Sequence, residues 1–232
     1  MADADLSSTR LAVVGGTGPQ GRGLASRFAV AGLAVAIGSR DQERAKAAAA
    51  EVADVAAQLA RTDGAIGKID AGANADVVAD VDIVVVSVPW SGHEETVREL
   101  APQLSDKIVV DCVNPLGFDE RGPYPVVVDE GSAAQQAQQL LPDSRVVAAF
   151  HHVSAVLLLD PDVHGVDTDV LVLSDDRKAA DQVIALAETV PGMRGVFAGR
   201  LRNAGQVEAL AANLIAINRR YKSHAGIRVT DV

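Results

Sequence analysis

The 232-residue chain has a single cysteine, Cys112, so it can hold neither an intramolecular disulfide framework nor a cysteine-rich zinc site. Its five histidines include no pair at i, i+4 spacing, which removes the helical zinc motif as well. Aromatic residues are scarce, at 3%, and alanine and valine must fill the core instead. Basic residues are outnumbered 21 to 31, a net charge of −10, which argues against generic affinity for nucleic acid or an anionic membrane. Long apolar runs are missing too. Stretches such as Ile83–Val86 are strand length, far short of the roughly 20 residues of a membrane span. Met1–Thr9 is polar and acidic, unlike a signal peptide. What remains is 48% hydrophobic, too apolar for wholesale disorder. The length suits one domain, or one domain with a small appendage. The expectation is a soluble, cytoplasmic globular protein.

The charge is unevenly placed. Residues 194–232 hold seven basic and two acidic residues, against 14 and 29 in the part before them. Arg219, Arg220 and Lys222 could meet an anionic ligand, or could serve as helix-end and solvated surface charge.

Strand-like and helix-like segments alternate along most of the chain. Arg10–Val14, Ala34–Gly38, Ala65–Asp70, Ile83–Val88, Lys107–Asp111 and Arg145–Ala149 read as strands. Gly18–Ala31, Asp41–Arg61, Asn74–Asp80, Gly92–Leu104 (interrupted near Pro102) and Ser132–Leu141 read as helices. Asn114–Pro125, with its prolines and glycines, reads as loop. Alternation of this kind implies a parallel sheet covered on both faces. The pattern pauses over Phe150–Val163. It resumes with a strand at Asp169–Leu173, a helix at Asp176–Val190, a strand at Arg194–Ala198 and a closing helix at Gln206–Tyr221. That helix carries Val207, Leu210, Leu214 and Ile217 on one stripe. The fold class expected is α/β, a Rossmann-type, doubly wound, mostly parallel sheet with a small C-terminal α/β lobe. Residues 1–9 form an extension, 10–152 the nucleotide-binding domain and 153–232 the lobe.

The strongest motif is Gly16-x-Gly18-x-x-Gly21, which follows one strand, opens a helix and precedes a second strand. That context marks a dinucleotide-binding turn. Gly16 would allow the tight turn, Gly18 the approach of a pyrophosphate, and Gly21 close helix–strand packing. The helix N-terminus adds unpaired N–H groups and a positive dipole, and Pro19 is tolerated in that first turn. At the tip of the second strand an NAD site places a carboxylate. This chain has Gly38-Ser39-Arg40 instead, and Asp41 reads as a helix cap. Ser39 can hydrogen-bond a 2′-phosphate, Arg40 can pair with it, and Arg44 lies one turn beyond. The expected dinucleotide is therefore NADP.

Ligands of doubly wound sheets lie beyond the carboxyl ends of the strands. Val88 and Pro89 would then form an apolar wall near the nicotinamide. Trp90 fits a core or lid role better than a stacking one. Asn114 can contact the carboxamide or ribose region. Cys112 has no activating neighbour in the sequence and makes a poor nucleophile. Phe150-His151-His152-Val153-Ser154-Ala155 holds the one histidine pair. Adjacent side chains diverge on a strand, so a metal site is a poor reading. His151 could position a cofactor or be a satisfied structural histidine.

Taken in order, Gly15-Gly16-Thr17-Gly18-x-x-Gly21-x-Gly23, Gly38-Ser39-Arg40, Val88-Pro89-Trp90, the His151 stretch and Val207-Glu208-Ala209-Leu210 resemble the F420-dependent NADP oxidoreductases. Members of that family pass a hydride between reduced deazaflavin coenzyme F420 and NADP. The resemblance covers Arg10 to Val229. It implies that Thr17, Gly18, Pro19, Gln20, Ser39, Arg40 and Arg44 hold the phosphates and adenosine ribose of NADP. It implies that Val88, Asn114 and Ala155 approach the reactive end of NADP. His151, Val153 and Ser154 would underlie the deazaflavin, with Ala225 at a C-terminal cofactor contact. Ser154 stands in place of a proline and Asn114 in place of an apolar residue. Homodimerisation is the family expectation. Related NADP dehydrogenases of hydroxy or imino acids append a long helical domain, whereas only 80 residues follow His152 here. A small cleft of this kind suits two flat cofactors laid face to face, with Arg219, Arg220 and Lys222 steering the anionic deazaflavin tail.

Hydride transfer between two bound cofactors asks the protein for alignment and exclusion of water, so no catalytic acid or base is expected. Two other readings remain: an NADPH-dependent flavin or ferric reductase, and a non-enzymatic NADPH-sensing module.

Overall fold

The computed structural model describes residues 6–60 and 65–232. Of the N-terminal extension, residues 1–5 lie outside the described part, as does Arg61, the expected end of the second helix. Leu6 is buried against the core.

Among the described residues, ten strands and eight α-helices follow in the order β1 (Arg10–Val14), α1 (Pro19–Val30), β2 (Ala34–Ser39), α2 (Gln42–Leu59), β3 (Ile69–Ala73), α3 (Asn74–Val77), β4 (Ile83–Val86), α4 (His93–Leu104), β5 (Ile108–Asp111), β6 (Leu116–Asp119), β7 (Gly122–Pro125), α5 (Ala133–Leu140), β8 (Arg145–Ala148), α6 (Ala155–Leu159), β9 (Thr168–Ser174), α7 (Arg177–Glu188), β10 (Met193–Gly199) and α8 (Ala204–Tyr221). Eight strands form one sheet in the order β10-β9-β8-β5-β4-β1-β2-β3. All neighbours in it are parallel except β8 and β9. The sheet is thus mostly parallel and doubly wound, as expected, and β9 and β10 of the C-terminal part extend this same sheet.

Strand β4 shows why the sequence folds this way. Its four residues are all buried. Ile83 and Val85 feed the core under α1, α2 and α7, while Val84 and Val86 feed the core under α4 and α5. Period-two alternation therefore delivers every residue of an unbroken apolar run to one of two cores.

Four differences from the sequence expectation stand out, besides α3 ending three residues early at Val77. β3 starts four residues late. Residues 65–68 dock instead on the α1–β2 turn, where the Gly67 amide donates to the Ala29 carbonyl at 2.7 Å. The Leu33 carbonyl fills the space a Cβ on Gly67 would need. α4 runs through Pro102 without a break, although the proline has no N–H to give the preceding turn. The expected loop at 114–125 contains the antiparallel hairpin β6–β7. The Asp119 carboxylate accepts from the Arg121 and Gly122 amides and makes its turn, and its prolines are tolerated because the ribbon has no third strand among the described residues. The pause after Phe150 hides α6.

α6 determines where the second half of the site lies. Gly23 of α1 is required there, because a Cβ would come 2.6 Å from the Leu158 Cβ. One turn on, the buried Arg27 donates to the carbonyls of Leu157, Leu158 and Asp160. It thereby satisfies the C-terminal carbonyls of α6. The helix that begins at the phosphate turn thus grips the helix that follows the histidine pair.

Candidate functional site

The turn between β1 and α1 meets the description of a phosphate loop, with one reassignment. Gly15, not Gly16, takes the left-handed conformation (φ +68°). A Cβ there would also lie 2.8 Å from the Ser87 carbonyl oxygen. Gly16 is needed for packing, because its Cβ would lie 2.8 Å from the Val13 carbonyl oxygen. Gly21 serves close packing as expected, 2.9 Å from the Gly16 Cα. At Gly18 a Cβ would meet nothing nearer than 3.9 Å, so this glycine faces open space. α1 opens there with Pro19 in its first turn and no side-chain cap, and its N-terminal amides are left for an anion.

Two cavities share this loop. One, of about 600 Å³, runs from Thr17 and Gly18 past Ser39, Arg40 and Arg44 to Thr96. The other, of about 530 Å³, runs from Gly18, Pro19 and Gln20 to the histidine pair and α8. Gly18, Ser87, Val88 and Pro89 line both, so the two form one groove with two compartments.

The first compartment carries the cationic groups. Asp41 caps α2 by accepting from the Glu43 and Arg44 amides, so its carboxylate is spent. The Ser39 hydroxyl accepts from the Asp41 amide at 3.1 Å. Arg40 is exposed, and its ion-pair partner is Glu95, at a long 3.9 Å. Among the described residues, the Arg44 guanidinium has no hydrogen bond or ion pair. Asn74, which opens α3 just past the end of β3, also lines this compartment. Its buried Oδ1 has no partner among the described residues. Sequence reasoning passed over Asn74 because it placed β3 too early; with the correct end, the strand-terminus rule would have found it.

The second compartment is apolar with a few oriented polar groups. Phe150, fully buried edge-on to Phe28 at 6.0 Å, takes a left-handed conformation (φ +63°). That is costly for a bulky residue, and it turns His151 and His152 into the cavity wall. The turn is held by Gln20 Nε2, which donates to the Phe150 carbonyl at 3.2 Å, and by Asn114 Nδ2, which donates to the His151 carbonyl at 2.8 Å. Both ring nitrogens of His151 and the Oδ1 of Asn114 are buried and lack partners among the described residues. Burial, with His152 beside it, pushes the His151 imidazole down to about 4. At neutral pH it is an uncharged ring, one nitrogen a donor and the other an acceptor. His152 is committed on one side, its Nε2 donating to the Asp169 carbonyl at 2.7 Å. Val153, Ser154, Ala155 and Ala225 line this cavity, as does the α8 face of Ala211, Leu214 and Ile215. The stripe expected on α8 is incomplete: Val207 and Leu214 are buried and Leu210 is half-buried, but Ile217 is exposed, while Glu208 beside Val207 is buried. Cys112 donates to the Val86 carbonyl, and burial pushes its thiol up to about 12, so it is no nucleophile at neutral pH.

The basic C-terminal segment divides in two. Arg194 and Arg228 both pair with Asp169, which is fully buried. The Val229 amide also donates to that carboxylate at 2.6 Å, and the segment carrying Ala225 is tied down alongside β9. Arg219, Arg220 and Lys222 remain exposed at the end of α8.

A family model described as NADP oxidoreductase, coenzyme F420-dependent, matches residues 10–115. The chain is 40% identical over 228 residues to the F420-dependent NADP reductase of Methanothermobacter thermautotrophicus, covering 96% of this chain and 95% of that protein. It is 37% identical over 229 residues to the enzyme of the same name from Methanothermobacter marburgensis, covering 96% and 99%. Among solved structures, a candidate F420-dependent NADP reductase from an Arthrobacter species superposes with a TM-score of 0.74 at 26% identity, covering 96% of this chain and 99% of that one.

Proposed function

The chain belongs to the coenzyme F420-dependent NADP oxidoreductase family, and on that premise we propose that its two-compartment groove passes a hydride directly between reduced F420 and NADP. The observation that carries this reading is the shared wall of Gly18, Ser87, Val88 and Pro89 between the two compartments. The cationic compartment fits an adenosine 2′-phosphate, and the amides of α1 fit the pyrophosphate. A flat ring fits against Val153, Ser154 and Ala155, with the uncharged His151 and Asn114 in the same cavity wall.

The bound cofactors supply the redox chemistry: one carbon gives up a hydride and the other accepts it. The protein's part is alignment and exclusion of water. Gly16 and Gly21 keep the loop tight against β1. Thr17, Gly18, Pro19 and Gln20 cradle phosphate, and Ser39, Arg40 and Arg44 hold the 2′-phosphate. Val88 and Pro89 would form the apolar wall against which the reactive rings lie. Residues 10–152 serve as the NADP unit, while 153–232 complete the deazaflavin side, with Ala225 closing its rim. A cytoplasmic homodimer belongs to the same reading. The homodimer is supported by the exposed apolar surface of Phe118 and Tyr124 on the hairpin, Val127 just after it and Tyr221 at the end of α8.

The test mixes the protein with NADPH and oxidised F420 and follows the deazaflavin's visible absorbance. Bleaching with NADPH, weaker with NADH and absent when FMN replaces F420, is the expected result. A response to FMN alone makes the protein a flavin reductase; tight NADPH binding without any acceptor makes it a sensor. A further expectation concerns Arg219 and Arg220. Replacing both by alanine should raise the KM for F420 several-fold at low salt and hardly at all at high salt, because exposed charges act through a screened field. A KM that does not change at low salt removes the steering role.

A further inference from the structure

Beneath the cleft lies a buried cluster of polar groups that the hydride-transfer reading does not use. His93, the first residue of α4, is 0% exposed, as is Asp111 at the end of β5. The His93 Nε2 lies 2.6 Å from Asp111 Oδ2, and its Nδ1 lies 2.9 Å from the Gln136 Oε1. Gln136 Nε2 donates to Glu130 at 3.3 Å, which fixes the amide orientation and makes the atom facing His93 an acceptor. Both ring nitrogens of His93 therefore face acceptors, and a histidine donates from both only as the imidazolium. The other oxygen of Asp111 accepts from the Val113 amide at 3.0 Å, one residue before Asn114.

The remaining neighbours point the same way. From α8, the buried Glu208 carboxylate accepts from the Ala133 and Ala134 amides at the start of α5. Burial pushes its carboxyl up to about 7, and His93 opposes that shift. The His93 imidazole itself is raised above its ordinary value. Burial alone would lower it, but Asp111, Gln136 and Glu208 outweigh that. His151, across the strand ends, also feels Asp111. On the cleft side the imidazole stacks on Trp90, with ring centroids 5.5 Å apart and planes inclined by 30°. That spacing suits a cation over an indole face. Trp90 lines the second compartment and is the chain's one tryptophan.

We propose that His93, held as an imidazolium between Asp111 and Gln136, is a positioning residue for hydride transfer. It sets Trp90 as a wall of the cleft and, through Asp111, holds the Val113–Asn114 strand end that orients the His151 turn. The role in transfer rests on the reading given above; the stacking on Trp90 does not.

The single tryptophan supplies the readout. A charged imidazole in contact with an indole quenches its emission. Trp90 fluorescence in the unmodified protein should therefore rise in one step as pH increases above the ordinary imidazole range. His93→Gln should abolish the step and lower kcat about 10-fold or more through misalignment, with the Kd for NADPH, which is set by the Ser39–Arg44 region, changed by less than about threefold. Gln136→Glu places a second carboxylate against the ring. It should move the fluorescence step to higher pH and carry the fall of kcat with pH along with it. This variant decides the matter if His93→Gln does not fold. A step that persists in His93→Gln, a kcat that stays within about twofold of the original, or a midpoint unmoved in Gln136→Glu overturns the proposal. Failure of F420 reduction in the unmodified protein counts against the transfer reading alone, since the Trp90 titration is independent of turnover.

Discussion

Replacing Arg40 and Arg44 together by alanine is expected to raise the KM for NADPH about 100-fold, the scale of losing charge-assisted contacts to one phosphate. The KM for NADH should change by no more than about twofold, since NADH lacks the group these cations would meet. Selectivity of this size follows from how little else the two side chains do. Arg40 reaches Glu95 across 3.9 Å while mostly exposed, and Arg44 has no partner among the described residues. Neither holds the fold together, so the melting temperature should be unchanged. The backbone frame survives as well, because the cap of α2 is made by Asp41 rather than by either arginine. Steady-state kinetics with both dinucleotides, alongside a thermal melt, reads all three outcomes. An equal loss for NADPH and NADH would mean that the pair supports the pocket generally and does not read the 2′-phosphate.

Asp169→Ala carries the largest expected effect on stability. This carboxylate is fully buried and meets Arg194, Arg228 and the Val229 amide. Its own backbone pairs with Ile227 and with His152. Paired with Arg194 above all, its carboxyl is held well below the usual carboxylate range. Its contribution to stability is therefore complete above that range and lost only as pH falls into strong acid. Both guanidiniums are partly exposed, so water takes over much of their solvation once the acid is gone. The expected drop in Tm is roughly 5–10 °C for a chain of this length. The local consequence should be more specific. Arg228 and the Val229 amide lose their anchor, while Ala225 keeps its bond to Asn218 and Ile227 its bonds to Thr168 and the Asp169 amide, so the KM for F420 rises about twofold to threefold while that for NADPH stays put. Calorimetry and kinetics on one preparation check both parts. A destabilised variant with unchanged F420 kinetics would separate the anchor from the cleft.

These two predictions sit at opposite ends of what the sequence made legible. The phosphate loop, Ser39-Arg40 and the Asp41 cap are local patterns. The residues that matter are adjacent in the chain, and their spacing is set by one strand, one turn and one helix. Alternation of apolar runs likewise exposes the sheet, because each strand must feed two cores. The roles within a motif are less legible. Gly15 carries the left-handed turn, yet the fingerprint pointed to Gly16, since four consecutive turn residues look alike until the backbone is seen. Long-range pairing is not legible at all. Asp169 meets Arg228 across 59 positions. The His93 cluster draws one residue from each of α4, β5, α5 and α8, at separations that no period relates. Short elements fail for another reason. α6 and the β6–β7 hairpin are held by contacts from elsewhere, the Arg27 side chain in one case and α8 in the other, and too little of their order is written in their own residues.

The most direct test of the groove is isotopic. NADPH carrying deuterium at the transferred position is mixed with oxidised F420 in ordinary water, and the reduced F420 is examined by mass spectrometry. Two rings pressed together over Val88 and Pro89, with water excluded, predict one deuterium in each molecule of reduced F420 and none lost to solvent. Deuterium appearing in water, with unlabelled reduced F420, would contradict direct transfer across the shared wall and the two-compartment account with it.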